Sequence, residues 1–202
     1  FDPQLKVEAA RGKTFVQDSA MMASIQQIEG VEVVSMTLED NAMAKYQEQQ
    51  AMVTIKGVDD NFQALTGVEE ILYGNPELKL YDEVADYGIP GIQLMYILGM
   101  GMQPFDPIEV YAPRTGTRVN MTNPMANFKR LPLYSPGTVL NINDARYAST
   151  YIVASLDYAQ RLFDCPGEIS AIELRLTPGA STGRVKRAVQ QLVGDGFTVH
   201  DR

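Results

Sequence analysis

Nucleophilic catalysis requires a serine or cysteine beside a base, and the sequence offers few candidates for such a pair. His200 is the one histidine of the chain and Cys165 the one cysteine. A nucleophile of either kind needs a base, usually histidine, within hydrogen-bond reach. His200 lies in a strand-like run, where we expect a surface side chain. Cys165 precedes Pro166 and has no second cysteine to resolve it, which predicts a half-buried structural residue rather than a redox centre.

Acid–base catalysis and metal binding are the other chemistries that side chains alone can supply. A zinc site needs three or four nitrogen or sulfur ligands, more than His200 and Cys165 provide. Neighbouring carboxylates point apart on a helix or a strand, which favours turns and caps over an acid/base dyad at the pairs Glu39-Asp40, Asp59-Asp60 and Glu69-Glu70. The sequence therefore predicts no catalytic residues, no cofactor and no metal, and we expect a protein that is not an enzyme.

The composition excludes further classes of protein. Of the 202 residues, 45% are hydrophobic and 21% are charged, which is typical of a folded chain of one or two domains. A net charge of −8 repels phosphate backbones, so we expect no nucleic-acid partner. No run approaches the roughly 20 apolar residues of a membrane span. Because the chain starts at Phe1 without methionine and ends after a strand-like run, we expect a piece of a longer protein.

The N-terminal part of the chain alternates strand and helix patterns. Alternating or continuous apolar residues predict strands at 5–9, 31–38 and 51–57. We expect the polar residues 39–50 to join the second and third of these strands. Cap residues and apolar spacing predict two helices, one opened by Asp18 or Ser19 and ended by Gly30, and a short one opened by Asp59 or Asp60.

The C-terminal part repeats the theme. It predicts strands at 150–153, 172–176 and 197–199, the second with one face on the core. Ser155 opens one predicted helix, and Ser181 or Thr182 opens another with the apolar face Val185, Ala188, Val189, Leu192 and Val193. This order of elements predicts the α+β class, as a ferredoxin-like α/β sandwich built from both chain ends.

The middle of the chain differs in charge and in composition. Residues 39–86 carry eleven acids and three lysines, whereas 110–143 carry no acid and the four bases Arg114, Arg118, Lys129 and Arg130. Recurring proline, glycine and asparagine in the basic stretch predict a long hairpin with an irregular tip, at 112–130. We therefore predict one subdomain from 1–85 and 144–202, and an inserted, mostly β subdomain at 86–143.

Five segments, in order and over nearly the whole chain, resemble one protein family. Ile28–Val34 and Val53–Asp59 resemble its helix, Gly-Val, strand and x-x-Ile-x-Gly-Val-Asp progression. Gly91–Gly99 resembles its Gly-x-x-Leu-Ala-x-x-Leu-Gly helix, and Phe105–Val110 the strand after it. Tyr151–Leu162 resembles its strand leading into a Ser-Leu-x-x-Ala-x-x-Leu helix. The family is the extracytoplasmic domain of MacB/FtsX-like ABC transporter permeases, and the resemblance is closest to the lipoprotein-releasing LolC/LolE type.

The resemblance implies an architecture, a location and partners. It implies a ferredoxin-like Porter subdomain from both chain ends, an inserted Sabre subdomain, and flanking transmembrane helices that place this domain on the periplasmic side of a cell inner membrane. The implied partners are a cytoplasmic ATPase subunit, a second permease subunit (self or relative), and a periplasmic lipoprotein carrier or lipoprotein cargo. The domain would pass ATP-driven motion to that cargo, and both chain ends would emerge on one face.

The resemblance also implies a docking site. In LolC-type subunits a hairpin called the hook, with a neighbouring basic pad, recruits the lipoprotein carrier, and residues 112–130 occupy the corresponding place. Pro124-Met125 match the Pro-Met of the hook tip, and Lys129-Arg130 fall where the pad's bases follow. The implied partner-binding residues are Arg114, Arg118, Met121, Pro124, Met125, Lys129 and Arg130. The alternative is a solvated hairpin without a partner.

Two other functions remain open from the sequence. A free-standing ligand-binding or regulatory α+β module predicts a closed, mostly apolar pocket with a few convergent polar groups. An enzyme that uses carboxylates alone predicts two acids converging in a cleft with shifted pKa values.

Overall fold

The computed structural model of the chain describes residues 1–75, 77–114 and 118–202. Within these residues the strands are β1 (Leu5–Ala9), β2 (Phe15–Val16), β3 (Val31–Tyr46), β4 (Gln49–Val58), β5 (Leu72–Gly74), β6 (Ile89–Pro90), β7 (Ile108–Pro113), β8 (Phe128–Leu133), β9 (Thr138–Leu140), β10 (Tyr151–Ser155), β11 (Glu168–Ile169), β12 (Ala171–Leu176) and β13 (Phe197–Asp201). The α-helices of the same residues are α1 (Ser19–Gln26), α2 (Phe62–Thr66), α3 (Ile92–Ile97), α4 (Ala145–Thr150), α5 (Leu156–Leu162) and α6 (Thr182–Val193), and 3₁₀ helices span Val68–Ile71 and Pro124–Asn127.

The chain forms two compact units. Unit 1 consists of Phe1–Leu38, Val58–Val68 and Gly167–Arg202, and unit 2 of Glu39–Gly57 and Glu69–Pro166. These divisions fall at other positions than the predicted subdomain boundaries at 85 and 143, which stay a prediction. The mixture of sheet and helix confirms the predicted α+β class.

Unit 1 joins both ends of the chain in one sheet. Its strands follow the order β13-β1-β12-β3, and each pair of neighbours in this order is antiparallel. The contribution of β1 from one end and of β12 and β13 from the other confirms the sequence-based expectation. The core of this sheet includes the fully buried side chains Leu5, Val7 and Leu174.

Helices α1 and α6 of unit 1 begin where the sequence predicts. The Asp18 carboxylate accepts the N–H groups of Ala20 and Met21 and opens α1, which ends at Gln26, before Gly30. Ser181 accepts the N–H of Arg184 and opens α6. These caps replace part of the hydrogen bonding that the first turn of a helix lacks. On α6 the side chains of Val185, Val189 and Val193 are buried, whereas Leu192, predicted on the same face, is exposed.

Two further expectations for unit 1 are wrong. Neither Asp59 nor Asp60 is the cap residue of α2, which is Asn61; the Asp59 carboxylate accepts the N–H of Asn61 at 3.0 Å, and also the hydroxyl of Ser35 at 2.6 Å and the N–H of Met36 at 2.8 Å. The contacts with Ser35 and Met36 connect Asp59 to strand β3, and the local sequence pattern does not contain them. Strand β12 was expected to bury one face only, yet Glu173, on the opposite face to Leu174, is also fully buried.

The prediction that residues 39–50 form a link between two strands is also wrong. Strand β3 continues to Tyr46 and β4 begins at Gln49, so the polar stretch forms most of a hairpin around Gln47 and Glu48. Gln47 takes a positive φ of 53°, the left-handed conformation that such a tight turn requires. The buried residues of this extension, Ala42, Ala44 and Tyr46, alternate with more exposed ones, as expected for a strand with one covered face.

Unit 2 holds the remaining elements. The second half of β3 lies in the order β3-β4-β10-β6, and β7 pairs with β3 on one side and with β8 on the other. Ser155 accepts the N–H of Tyr158 and opens α5, as predicted. Gly57 of β4 is necessary beside this helix, because a Cβ there would lie 2.4 Å from that of Ala159. Among the described residues no helix has the length and hydropathy needed to cross a membrane.

Candidate docking hairpin

The hairpin begins as a regular antiparallel pair within unit 2. Val110 lies opposite Leu131 and Ala112 opposite Lys129, in a register that runs from Ile108–Leu133 to Pro113–Phe128. Ile108, Val110 and Ala112 alternate with more exposed residues and are fully buried. One face of the pair therefore belongs to the core of unit 2 and fixes the base of the hairpin.

A buried tyrosine attaches β8 to helix α5. Tyr158 is fully buried, and its hydroxyl donates to the carbonyl oxygen of Leu131 at 2.8 Å. Burial, then the negative charge of Asp86, raises the pKa of Tyr158 above its usual range. The hydroxyl therefore stays protonated and continues to donate this hydrogen bond at neutral pH.

Lys129 and Arg130 point to opposite faces of the hairpin. Lys129 is opposite the buried Ala112, whereas Arg130 is opposite the half-exposed Tyr111. On the Arg130 face, the Arg130 Nε lies 3.5 Å from Glu109 Oε2. The two bases that the sequence groups together as a pad are thus separated by the sheet.

Two asparagines hold the tip of the hairpin. The Asn127 side chain accepts the N–H of Asn120 at 2.6 Å and donates to the carbonyl oxygen of Asn120 at 3.1 Å. Asn120 in turn accepts the N–H groups of Thr122 and Asn123 at 3.0 and 2.9 Å. The backbone N–H of Arg114 donates to the carbonyl oxygen of Asn127 at 2.7 Å. Hydrogen bonds of asparagine side chains, rather than apolar burial, thus define this loop.

The tip presents large apolar side chains to solvent. Exposure is 71% at Val119, 85% at Met121, 58% at Met125 and 39% at Phe128. We call these four residues the apolar crown. Pro124 is exposed and begins the 3₁₀ helix that carries Met125.

The four bases of the hairpin differ in exposure. Arg114, Arg118 and Arg130 are exposed, and Lys129 is half-buried. Residues 115–117 of the predicted hairpin lie outside the described residues. Sequence reasoning named Met121 and Met125 but missed Val119, Phe128 and the two asparagines. The pair of asparagines flanking an exposed apolar stretch is a signal that could have located them.

The other sequence candidates occupy structural positions. His200 is half-exposed and lies 3.4 Å from Glu8, and Cys165 is half-buried, as predicted. The Glu69-Glu70 pair lies partly outside the described side chains. Within the described part of the chain no three His, Cys, Asp or Glu residues are grouped to hold a metal.

A cavity of about 390 Å³ in unit 2 is lined by acids and by Arg161. Arg161 pairs with Asp86 at 2.8 Å and with Asp157 at 2.9 Å. Asp82 accepts the hydroxyl of Tyr87 at 2.6 Å, and this hydrogen bond is the first cause of a pKa well below the usual range of the carboxyl. Asp82, Asp86 and Asp157 are therefore engaged in ion pairs or hydrogen bonds, and the pKa of Asp82 is lowered, whereas a general acid needs a raised pKa.

The structure resembles solved domains of bacterial transporters. One is the extracellular domain of the ABC-type transporter YknZ from Gram-positive bacteria, with a TM-score of 0.61 and 11% identity over 98% of this chain and 99% of that chain. A second is the periplasmic region of MacB from Actinobacillus actinomycetemcomitans, with a TM-score of 0.57 and 8% identity over 98% of this chain and 87% of that chain. The chain has the fold of these transporter domains.

A third solved structure with a similar fold comes from a permease. It is a domain from Porphyromonas gingivalis described as part of a permease protein, with a TM-score of 0.53 and 16% identity over 98% of this chain and 88% of that chain. No protein-family profile and no curated protein matches the chain. YknZ is described as an ABC-type transporter, and the matching parts of YknZ and MacB are an extracellular domain and a periplasmic region. A closer relation to the LolC/LolE type stays a prediction.

Proposed function

We propose that the chain is the extracytoplasmic domain of an ABC transporter permease subunit and passes ATP-driven motion to a lipoprotein or other envelope cargo. The observation that carries the proposal is the fold shared, over 98% of the chain, with the extracellular domain of YknZ and the periplasmic region of MacB. The proposed partners are an ATPase subunit in the cytoplasm and a second permease subunit, reached through the membrane part of the protein. The proposed location is the periplasmic side of the inner membrane.

The two chain ends of unit 1 support this topology. Leu5 lies opposite Asp201 in the β1–β13 ladder, and the guanidinium of Arg202 donates to the carbonyl oxygen of Asp2 at 3.1 Å. Two transmembrane helices attached at these ends would start side by side. A displacement of either helix would then act directly on the strands at the edge of the unit 1 sheet.

Labelling from outside the membrane tests the proposed location. In full-length protein with Cys165→Ser, a cysteine replacing Met121 should react with a membrane-impermeant maleimide in cells whose inner membrane is intact. Met121 is the most exposed residue of the apolar crown, so accessibility of the side chain does not limit the reaction. The matched control replaces the buried Val110 and should label only after denaturation. Protection of the Met121 position until the membrane is broken would contradict the proposal.

The hairpin is the proposed docking surface for a periplasmic carrier or for the cargo. An exposed apolar cluster supplies area to bury, and basic residues around it accelerate encounter with an acidic partner. We propose that the partner contacts the face of Arg130, because Tyr111 on that face is half-exposed whereas the face of Lys129 adjoins buried Ala112.

Adjacent charge reversals test the docking face. Arg130→Glu should weaken binding to purified periplasmic carriers by about tenfold or more, equivalent to about 1.4 kcal/mol. Lys129→Glu makes the same change in net charge one residue away, on the opposite face, and should weaken binding less. Met121→Asp should also weaken binding, because it places a charge in the apolar crown. Unchanged affinity in all three variants would remove the docking proposal and leave the transporter proposal standing.

A further inference from the structure

Strand β13 forms the outer edge of the unit 1 sheet. In the order β13-β1-β12-β3 it pairs with β1 and, among the residues that the structure describes, with no other strand. The N–H of Ala10 donates to the carbonyl oxygen of Gly196 at 2.9 Å, so Gly196 and every second residue after it face β1. Phe197, Val199 and Asp201 therefore direct their backbone polar groups away from the sheet. Such an edge is a template on which another extended chain can pair.

The side chain of Gln190 occupies this edge. Its Nε2 donates to the carbonyl oxygen of Phe197 at 2.9 Å, and its Oε1 accepts the N–H of Val199 at 3.1 Å. These are one acceptor and one donor on the outward side of β13, the pair that a neighbouring strand would use. The same Nε2 also donates to the carbonyl oxygen of Gly194 at 3.1 Å. The amide thus takes the place of a residue in an adjacent strand.

Helix α6 fixes the amide in that position. Val189 and Val193 are buried, which sets the rotation of the helix around Gln190. Gly194 ends α6 and its carbonyl oxygen accepts the N–H of Phe197 at 3.2 Å, so β13 starts directly beside the last turn of the helix. Lys186, one turn earlier, lies 3.3 Å from Asp201. The contacts of Gln190 and of Lys186 with β13 therefore both lie on the outward side of the strand.

We propose that the outer edge of β13 is a strand-pairing surface that Gln190 holds closed, and that its partner once opened is β13 of a second copy of this chain. Two antiparallel β13 strands related by a two-fold axis at Val199 place Thr198 opposite His200 and Phe197 opposite Asp201. No like charges meet in this register, and the contact is the self-complementary kind that closes a dimer.

Removal of the amide tests the proposal. Gln190→Ala should give a folded chain whose sedimentation coefficient rises with concentration towards that of a dimer. Gln190→Ser should behave alike, since its shorter side chain vacates the place of the amide and loses both hydrogen bonds to β13. The matched control is Gln191→Ala, which removes the neighbouring exposed amide and should sediment like the parent chain.

A second substitution identifies the surface involved. Adding Val199→Pro removes the outward N–H of β13 and leaves the hydrogen bonds to β1 in place, because Val199 faces away from β1; proline is tolerated at such an edge position. The double variant should return to a monomer. A folded Gln190→Ala or Gln190→Ser chain that sediments like the parent at every concentration, or a dimer that persists with Val199→Pro, would overturn the proposal.

Discussion

Unit 1 and the hairpin of unit 2 use apolar side chains in opposite ways. In unit 1, Leu5, Val7 and Leu174 are fully buried, and the polar edge of the sheet is closed by an amide. At the hairpin tip, Met121 is 85% exposed and the backbone is held by the Asn120–Asn127 hydrogen bonds. Burial therefore stabilises the one region, and the other leaves its apolar area available for a partner.

Truncating one apolar side chain to alanine in each region should give the largest difference in the free energy of unfolding. Leu174→Ala removes a buried side chain from the middle of the unit 1 sheet and should lower the free energy of unfolding by about 2 to 5 kcal/mol. Met121→Ala removes an exposed side chain and should change it by less than about 0.5 kcal/mol. Urea unfolding followed by circular dichroism measures both values. Comparable losses in the two variants would mean that the apolar crown is a structural cluster and not a docking surface.

The sequence predicted the elements whose signals are local. Strand β1, the helices opened by Asp18, Ser155 and Ser181, and the buried valines of α6 follow from caps and periodicity. The extension of β3 to Tyr46 was missed because its buried residues include Ala42 and Ala44, which give a weak apolar signal, and polar residues alternate with them.

Long-range contacts account for what was missed at the site. The sequence places Lys129 beside Arg130, but only the register with β7 shows that they face opposite sides. Asn120 and Asn127 are seven residues apart and bond across the loop. The Asp59 carboxylate similarly accepts the hydroxyl of Ser35, 24 residues earlier on β3. Such partners are determined by the tertiary fold, which a single sequence read by local pattern does not contain.

A substitution of Tyr158 tests whether the base of the hairpin contributes to stability as the buried regions do. Tyr158→Phe removes the hydrogen bond to Leu131 and should cost about 1 kcal/mol at neutral pH. The pKa of Tyr158 is raised in the folded state above about 10, the value in an unfolded chain. The stabilisation is therefore fully present below pH 10 and is lost as the pH rises above it, by about 1.4 kcal/mol per pH unit from this group.

The free energy of unfolding, measured between pH 8 and pH 11, separates the contribution of Tyr158 from that of the other tyrosines. The parent chain should lose stability above pH 10 more steeply than Tyr158→Phe. Tyr151, whose pKa is raised by burial and by the charge of Glu39, contributes in the same direction. A matched control is Tyr96→Phe, which changes an exposed tyrosine and should leave the slope as in the parent. Equal slopes in the parent and in Tyr158→Phe would place the hairpin base outside the buried framework.

At Asn127 we expect a local effect on the hairpin tip and only a small effect on global stability. Asn127→Ala removes both side-chain hydrogen bonds to Asn120, so the tip should open while the strands below it stay paired. The free energy of global unfolding should change by less than about 1 kcal/mol, whereas the amide of Asn120 should exchange with solvent faster. Hydrogen exchange measured residue by residue by NMR distinguishes local opening of the tip from global unfolding.

Two variants make the prediction for Asn127 specific. Asn127→Asp keeps the acceptor for the Asn120 N–H but loses the donor, and should give an intermediate exchange rate. Asn123→Ala changes an asparagine whose side chain caps no N–H of the 3₁₀ helix, and should leave Asn120 protected. If Asn127→Ala speeds exchange along β7 and β8 as much as at the tip, then the tip stabilises the strands, and the separation between a buried framework and a tip free for binding fails.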